Sequence, residues 1–302
     1  MAQKVAGLLA CAVLAACSAG SNPFNSGDDG AGGGGTGGGG GTEVKASVST
    51  TIGGQVTRVA YNAGAGTLEV EGMSLDEVPY SATYRRAPAL DQDGYVAFTV
   101  QEDAGDRHFT AYAGQSTGGA VRAAAISSPG PRNRAFMGYY LERDGAYDPP
   151  DVTTDSGLVT YAGRYVGLTN LGDPNGSDLL PPVSDDPELV VPQALIIHGD
   201  TFINADFADN AVEGNIFNRE LLDTDLNVIS ELPSIVLVVT DIAADGTFAG
   251  TVEYDTSDPL SGADSSILDR QLCRHLRRHG LRQRRRRCPV EPVRRRRSES
   301  WS

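Results

Sequence analysis

The residue with the clearest chemistry is the cysteine of the segment Leu14-Ala15-Ala16-Cys17. A positive start ending at Lys4 and an apolar stretch over Val5–Leu14 precede its thiol. That stretch is too short to span a bilayer as a stable helix, but it fits the apolar core of a signal peptide. Small residues before the cysteine admit a signal peptidase, and the thiol can accept a diacylglyceryl group. Residues 1–17 therefore predict a lipoprotein signal peptide, with a lipobox at Leu14, Ala15 and Ala16.

An acylated Cys17 would hold the chain on a lipid membrane. Each buried methylene contributes about 0.8 kcal/mol, so several acyl chains on one residue give durable anchoring. Ser18 follows the cysteine rather than Asp. By resemblance to Gram-negative lipoproteins, this favours the outer membrane, on either its periplasmic or its cell-surface face. Ordinary secretory cleavage beside an unrelated cysteine is the alternative interpretation.

Residues that could perform catalysis are scarce between the leader and the C-terminal tail. His108 and His198 are the only histidines before residue 270, and the sequence assigns neither of them a partner for a catalytic triad or a metal site. The zinc-protease motif His-Glu-x-x-His is absent. We therefore expect no enzyme, no catalytic residues and no cofactor.

Two acidic segments carry oxygen ligands at spacings that calcium uses. One alternates Asp223, Asp225 and Asn227, and the other is Asp173–Asp178. The first lacks the glycine and the final glutamate of a calcium-binding loop. Solvated acidic turns are favoured for both segments, so we expect no metal site.

Charge is strongly segregated along the 302 residues, whose net charge is -14. Residues 270–302 carry 13 Arg against 2 Glu, a net +11, which leaves -25 for residues 1–269. A body that acidic repels nucleic acid and anionic membrane surfaces, so no nucleic acid partner is expected. Residues 18–44 are a glycine-rich tether, which is too polar to order itself and is expected to remain flexible.

The rest of the chain shows short alternating strands separated by turns, with almost no helical periodicity. Leu68–Glu71 and Tyr95–Val100 alternate in residues 45–150, and Thr201–Phe207 does so in residues 155–260. Pro149-Pro150 separates the two regions. We expect an all-β chain of antiparallel hairpins that closes on itself, because closure removes exposed strand edges.

The second region repeats a pattern of glycines and hydrophobic residues. Tyr161–Gly167 has alternate residues on one strand face, Gly199–Arg219 has the form of a hairpin, and Asp245–Val252 suggests a later hairpin. The residues that carry the pattern are Gly163, Tyr165, Gly167, Asp206, Phe207, Gly214, Ile216, Asn218, Arg219, Phe248 and Gly250. This pattern resembles the transferrin-binding protein B-like lipoproteins.

The resemblance implies a lipid-anchored, eight-stranded β-barrel preceded by a smaller β-sheet called a handle. On this basis residues 45–150 are the handle-like region and residues 155–260 are the barrel. The barrel is expected to be incomplete, because the family continues with further strands where this chain has its Arg-rich tail. The pattern residues are interpreted as structural.

The tail over residues 270–302 has two interpretations. It could be a disordered basic arm that binds a polyanion. It could instead arise from a reading-frame shift near Asp269, because arginine codons of a GC-rich gene can encode alanine and glycine in another frame. The second interpretation is favoured, since a basic arm suits neither export nor an acidic body.

The sequence therefore predicts an outer-membrane, lipid-anchored binding protein. Its ligand is a protein or a small molecule, and analogy with the family suggests capture of a nutrient or an iron source. The alternatives are a structural envelope lipoprotein without a dedicated ligand and a polyanion binder that acts through the tail.

Overall fold

The computed structural model describes residues 46–47, 53–62, 65–116, 119–130, 134–152, 157–184, 186 and 189–260. The predicted signal peptide, the lipobox with Cys17, the tether and the Arg-rich tail lie outside these residues. No helix in the described part is long and apolar enough to cross a membrane.

The described residues form two antiparallel sheets, which confirms the all-β prediction. A single 3₁₀ turn at Pro88–Leu90 is their only named helical element. The first sheet contains β1 (Ala46–Ser47), β2 (Val56–Asn62), β3 (Thr67–Met73), β4 (Pro79–Arg86), β5 (Val96–Val100), β6 (Phe109–Gln115), β7 (Val121–Ser128) and β8 (Phe136–Arg143). Each strand from β2 to β7 pairs with the next one along the chain, and β1 pairs with β8.

The first sheet nearly closes into a barrel, because β8 meets the start of β2. Gly54 forms an isolated bridge with Gly138, and the backbone N–H of Gln55 donates to the carbonyl of Met137 at 3.1 Å. Gly54 has a φ of +66°, which glycine adopts without steric cost. A side chain at Gly138 would overlap Val56. Closure therefore requires glycine at both positions of this bridge.

Alternating residues of these strands fill the interior of the first sheet. Leu68, Val70, Tyr84 and Phe98 are fully buried there. The hydroxyls of Tyr80 and Tyr84 lie 2.9 Å apart, and burial raises the pKa of both tyrosines. Both phenols therefore remain protonated and share their hydrogen bond inside an apolar core.

The second sheet contains β9 (Leu158–Asp173), β10 (Gln193–Asp206), β11 (Ala211–Leu222), β12 (Val228–Leu232), β13 (Ile235–Asp241) and β14 (Val252–Tyr254). Its order is β14-β13-β11-β10-β9, and β12 pairs with the end of β11. Within the described residues β9 and β14 lie at opposite edges and do not pair, so this sheet is open.

The position of the closed sheet differs from the sequence-based expectation. Residues 45–150 were expected to be a handle and residues 155–260 a barrel, but the nearly closed sheet belongs to the first region. The glycine and hydrophobic pattern of the second region builds curved hairpins. Closure needs a further contact between the first and last strands, which alternation along single strands does not specify.

The predicted hairpin at Gly199–Arg219 is confirmed as β10 and β11. Asp206 ends β10, and its side chain accepts the backbone N–H groups of Ala208 and Asp209. Asn210 has a φ of +52° in the turn. The short polar side chains thus supply the turn geometry that the sequence indicated.

The outer face of β5–β7 packs against β9–β11. Ala97, Tyr112 and Ala123 of the first sheet join Ile196 and Leu222 of the second in one buried cluster. The Tyr112 hydroxyl donates to the carbonyl of Leu90 at 2.6 Å, so this buried polar atom is satisfied. We call this contact between the two sheets the junction.

Candidate functional site

One face of the second sheet runs from the junction to solvent. On β10 this face carries Ile196, then His198, then Asp200 and finally Phe202, each opposite a residue of β9. Ile196 is fully buried against the first sheet, whereas Phe202 is 39% exposed. The strands therefore extend past the sheet on which they pack.

The exposed half of this face has an apolar centre. The register places Phe202 between Ala162 and Asn215, and Asn215 is opposite Val236. Leu158, on the same side of β9, is 65% exposed. We call Leu158, Ala162, Phe202, Phe217 and Val236 the overhanging face.

Two polar rows flank Phe202, and one of them, Thr160 with Asn204, lies between Phe202 and Leu158. The Arg164 guanidinium donates to Asp200, and the Asn218 amide donates to the other oxygen of Asp200 at 2.8 Å. Thr160 donates to Asn204 at 2.9 Å. Apolar side chains flanked by polar groups are typical of surfaces that bind another molecule.

Most of the residues predicted from the family pattern lie on the opposite side of the second sheet or in its turns. The ring of Tyr165 covers Gly167, where any side chain would collide with it. Ile216 is fully buried in the same cluster. A Cβ atom added at Gly214 would lie only 2.5 Å from the carbonyl oxygen of Phe202, so a side chain does not fit there. These positions shape the sheet.

Asn218 and Arg219 mark an irregular point in β11. Asn218 has a φ of +49°, and the pairing of β10 with β11 shifts between His198 and Asp200. Arg219 is 5% exposed, and its guanidinium donates to the carbonyl of Pro233 at 2.7 Å. This buried guanidinium contacts the β12–β13 turn.

The remaining pattern residues lie on one strand, one turn and the last hairpin. Gly163 lies on β9, opposite Thr201 of β10. Phe207 follows β10 and packs with Ile203 and Val212. Phe248 is 42% exposed and bridges to Ile242. A Cβ atom added at Gly250 would lie 3.0 Å from the side chain of Thr240. None of these four lies on the overhanging face.

A polar cluster lies at one end of the junction. Asp178, in the segment between β9 and β10, accepts a hydrogen bond from Thr99 and lies 3.8 Å from Nε2 of His108. His108 is 1% exposed. Its proximity lowers the pKa of the Asp178 carboxyl below the ordinary value. The pair therefore ties the long β9–β10 connection to the first sheet.

A second cluster lies at the other end. The Nε2 atom of His198 is 2.8 Å from Glu220, and its Nδ1 atom is 3.6 Å from Asp93, which precedes β5. A catalytic triad requires a nucleophile on one ring nitrogen and a carboxylate on the other. Both nitrogens of His198 face carboxylates, so this cluster is not arranged as a triad.

The two acidic segments form turns that contact each other. Asp223 accepts the backbone N–H groups of Asp225 and Asn227 at 3.0 and 2.8 Å. Asp173 accepts the Thr224 hydroxyl at 3.0 Å. Within the described ranges, no group of three or more His, Cys, Asp or Glu side chains is placed to hold a metal ion.

One motif escaped the sequence reasoning. Gly114-Gln115-Ser116-Thr117-Gly118 has the letters Gly-x-Ser-x-Gly, which in hydrolases place a serine on a strand-to-helix turn. Here Gly114 and Gln115 end β6, and the Ser116 hydroxyl accepts the backbone N–H of Val121, the first residue of β7, at 3.0 Å. Reading the motif together with its flanking strands would have identified a hairpin turn.

Comparisons with known proteins give no match to a protein-family model, to a curated protein or to a solved structure. The resemblance to transferrin-binding protein B-like lipoproteins therefore stays a prediction.

Proposed function

We propose that this chain is a lipid-anchored outer-membrane protein that binds its ligand through the overhanging face. The observation that carries the proposal is the exposure of Phe202 and Leu158 on a face whose other half packs against the first sheet. Aromatic and aliphatic side chains at solvent-exposed sheet positions supply apolar area to a partner.

The lipobox supports the anchored placement. Acylation of Cys17 would hold the two sheets outside the membrane, and the glycine-rich residues 18–44 would set how far from its surface they can extend. Labelling of cells with radioactive palmitate tests this step. We expect label in the wild-type protein and none in Cys17→Ser, and equal labelling of both would remove the anchor from the proposal.

Ligand binding is tested by recovery from the native source with the full chain as bait. We expect a stoichiometric partner that binds the wild type and is lost in Phe202→Glu. Val78→Glu is the matched control, because Val78 is 57% exposed but lies in the β3–β4 turn, away from the second sheet. An iron-carrying protein is the first defined probe, since the family resemblance suggests iron capture.

The outcomes separate the alternatives. A partner retained by Phe202→Glu places binding on another surface. Absence of any stoichiometric partner favours a structural envelope lipoprotein without a dedicated ligand. Loss in both variants indicates that added charge harms the fold, which circular dichroism of each variant would reveal.

A further inference from the structure

A row of three buried hydroxyl groups crosses the first sheet at one end of the junction. Thr110 of β6 lies opposite Thr99 of β5 and opposite Ser127 of β7. All three side chains are at most 7% exposed. They face the second sheet, because Tyr112, two residues from Thr110 on the same strand face, belongs to the apolar cluster of the junction. We call these three residues the hydroxyl row.

The two outer hydroxyl groups of this row have acceptors, but the central one has none. Thr99 donates to the Asp178 carboxylate, and Ser127 donates to the carbonyl of Thr169 at 2.8 Å. The Thr110 hydroxyl is fully buried and has no hydrogen-bond partner among the described residues. Burial of a hydroxyl without a partner is destabilising. The centre of the row therefore needs a partner that these residues do not supply.

Two residues that contact Asp178 carry further unpartnered atoms. His108 directly precedes β6 and faces the same way as Thr110, because the intervening Phe109 packs into the interior of the first sheet. The Nε2 atom of His108 lies 3.8 Å from Asp178, and its Nδ1 atom is buried without a partner. The side-chain oxygen of Gln193 accepts the backbone N–H of Asp178 at 3.3 Å, whereas its buried Nε2 atom is unpaired.

The three unpartnered atoms differ in the hydrogen bonds that they can form. The amide nitrogen of Gln193 donates, the hydroxyl of Thr110 donates or accepts, and an imidazole nitrogen does either according to its tautomer. A water molecule suits such a mixture, because it can both donate and accept. Buried waters typically make about three hydrogen bonds to polar groups of this kind. Asp178 is 44% exposed, so a path from solvent leads to these groups.

We propose that the hydroxyl row, His108 and Gln193 form a water-binding site, which holds at least one internal water against the Thr110 hydroxyl. This water links the first sheet to the start of β10, where Gln193 lies. A water can satisfy the imidazole nitrogen in either protonation state, so the site does not depend on titration of His108. The inference goes beyond the proposed ligand binding and does not depend on it.

Thr201 of the second sheet provides a matched control. Its hydroxyl is also buried without a partner in the described part of the chain, and the residue is 2% exposed. In the register it lies between Gly163 and Ile216, whose side chains offer no donor or acceptor. A buried water needs about two to four polar partners, so we expect this position to be dry.

Oxygen-17 relaxation dispersion counts the long-lived internal waters of the full chain. Valine has nearly the shape of threonine without its hydroxyl, and both residues favour strands. We expect Thr110→Val to hold fewer waters than the wild type. Its unfolding equilibrium constant in urea denaturation should rise about fivefold, because a satisfied hydrogen bond is removed. Thr201→Val should keep the wild-type water count, and its unfolding constant should stay the same or fall.

Two results would overturn the water-binding site. One is an equal water count in Thr110→Val and the wild type, and the other is an unfolding constant of Thr110→Val no higher than that of Thr201→Val. If Thr110→Val does not fold, cross-relaxation between water and the Cε1 proton of His108 in the wild type decides. We expect a direct signal there, and its absence would equally reject the site.

Discussion

The first sheet buries its large hydrophobic side chains inside a nearly closed ring of strands, whereas the second leaves several of its own in solvent. Phe98 is fully buried, but Phe202 and Leu158 are 39% and 65% exposed. Both sheets are built from similar antiparallel hairpins, so strand composition does not explain the contrast. The difference comes from the contact of β2 with β8, which has no counterpart between β9 and β14 in the described residues.

The largest expected effect is the loss of an aromatic ring from the closed core. Phe98→Ala should lower the free energy of unfolding by about 3–5 kcal/mol, because it leaves a cavity beside Tyr61 and Arg86. Phe248→Ala, in the exposed last hairpin, should cost less than about 1 kcal/mol. Urea denaturation measures both. Equal losses would mean that the two sheets do not differ in packing as their exposure suggests.

A smaller effect is expected at the closing contact itself. Gly138→Val would push β8 away from Val56 and should destabilise the protein by about 1–3 kcal/mol. Gly250→Ala, in the open sheet, meets only the side chain of Thr240 at about 3 Å and should cost less. Thermal unfolding of the two variants compares them. A more harmful Gly250→Ala would show that closure is not the feature that stabilises the first sheet.

The connection between the sheets should depend on acid. The folded-state pKa of Asp178 is lowered, with His108 as the main cause. Its contribution to stability is therefore fully present above the ordinary aspartate pKa of about 3.9 and is lost as pH falls through the lower folded-state value.

Acid titration followed by circular dichroism measures this contribution. Wild-type stability should decrease more steeply below about pH 4 than that of Asp178→Asn, which has no carboxyl to protonate. Parallel acid curves for the two proteins would show that Asp178 does not couple the sheets.

The smallest effect on stability is expected on the overhanging face. Phe202→Ser should change the free energy of unfolding by no more than about 0.5 kcal/mol, because the ring is partly in solvent. A loss above about 2 kcal/mol in urea denaturation would indicate that Phe202 is a core residue and would remove it as a binding candidate.

Local sequence patterns predicted the elements of the second sheet well. The hairpin of β10 and β11 followed from Asp206, the polar turn and the return through Gly214 and Ile216. In the first region the alternating segments Leu68–Glu71 and Tyr95–Val100 predicted β3 and β5, whereas β2, β4 and β7 were not predicted. β7 has a run of alanines and serines in place of the large alternating residues that identify a strand.

The candidate binding face could not be predicted from the sequence. On β10 the apolar residues Phe202 and Ile203 point to opposite faces, as they would in a strand buried on both faces. The sequence therefore gives no sign that Phe202 is exposed. Its exposure depends on how far the first sheet extends along β9–β11. Likewise, Asp93 and His198 are distant in the chain, and their contact exists only because the two sheets pack together.

The sequence by itself determined the antiparallel β architecture and the main hairpins, and it predicts a lipobox whose cysteine would carry a membrane anchor. These features depend on neighbouring residues: alternation along a strand, turn-forming side chains and a short apolar leader. The tertiary structure alone decided which sheet nearly closes, which half of a strand is exposed and which carboxylate each histidine meets. Those outcomes depend on contacts between distant segments, such as Gly54 with Gly138, whose geometry is fixed only when the strands assemble.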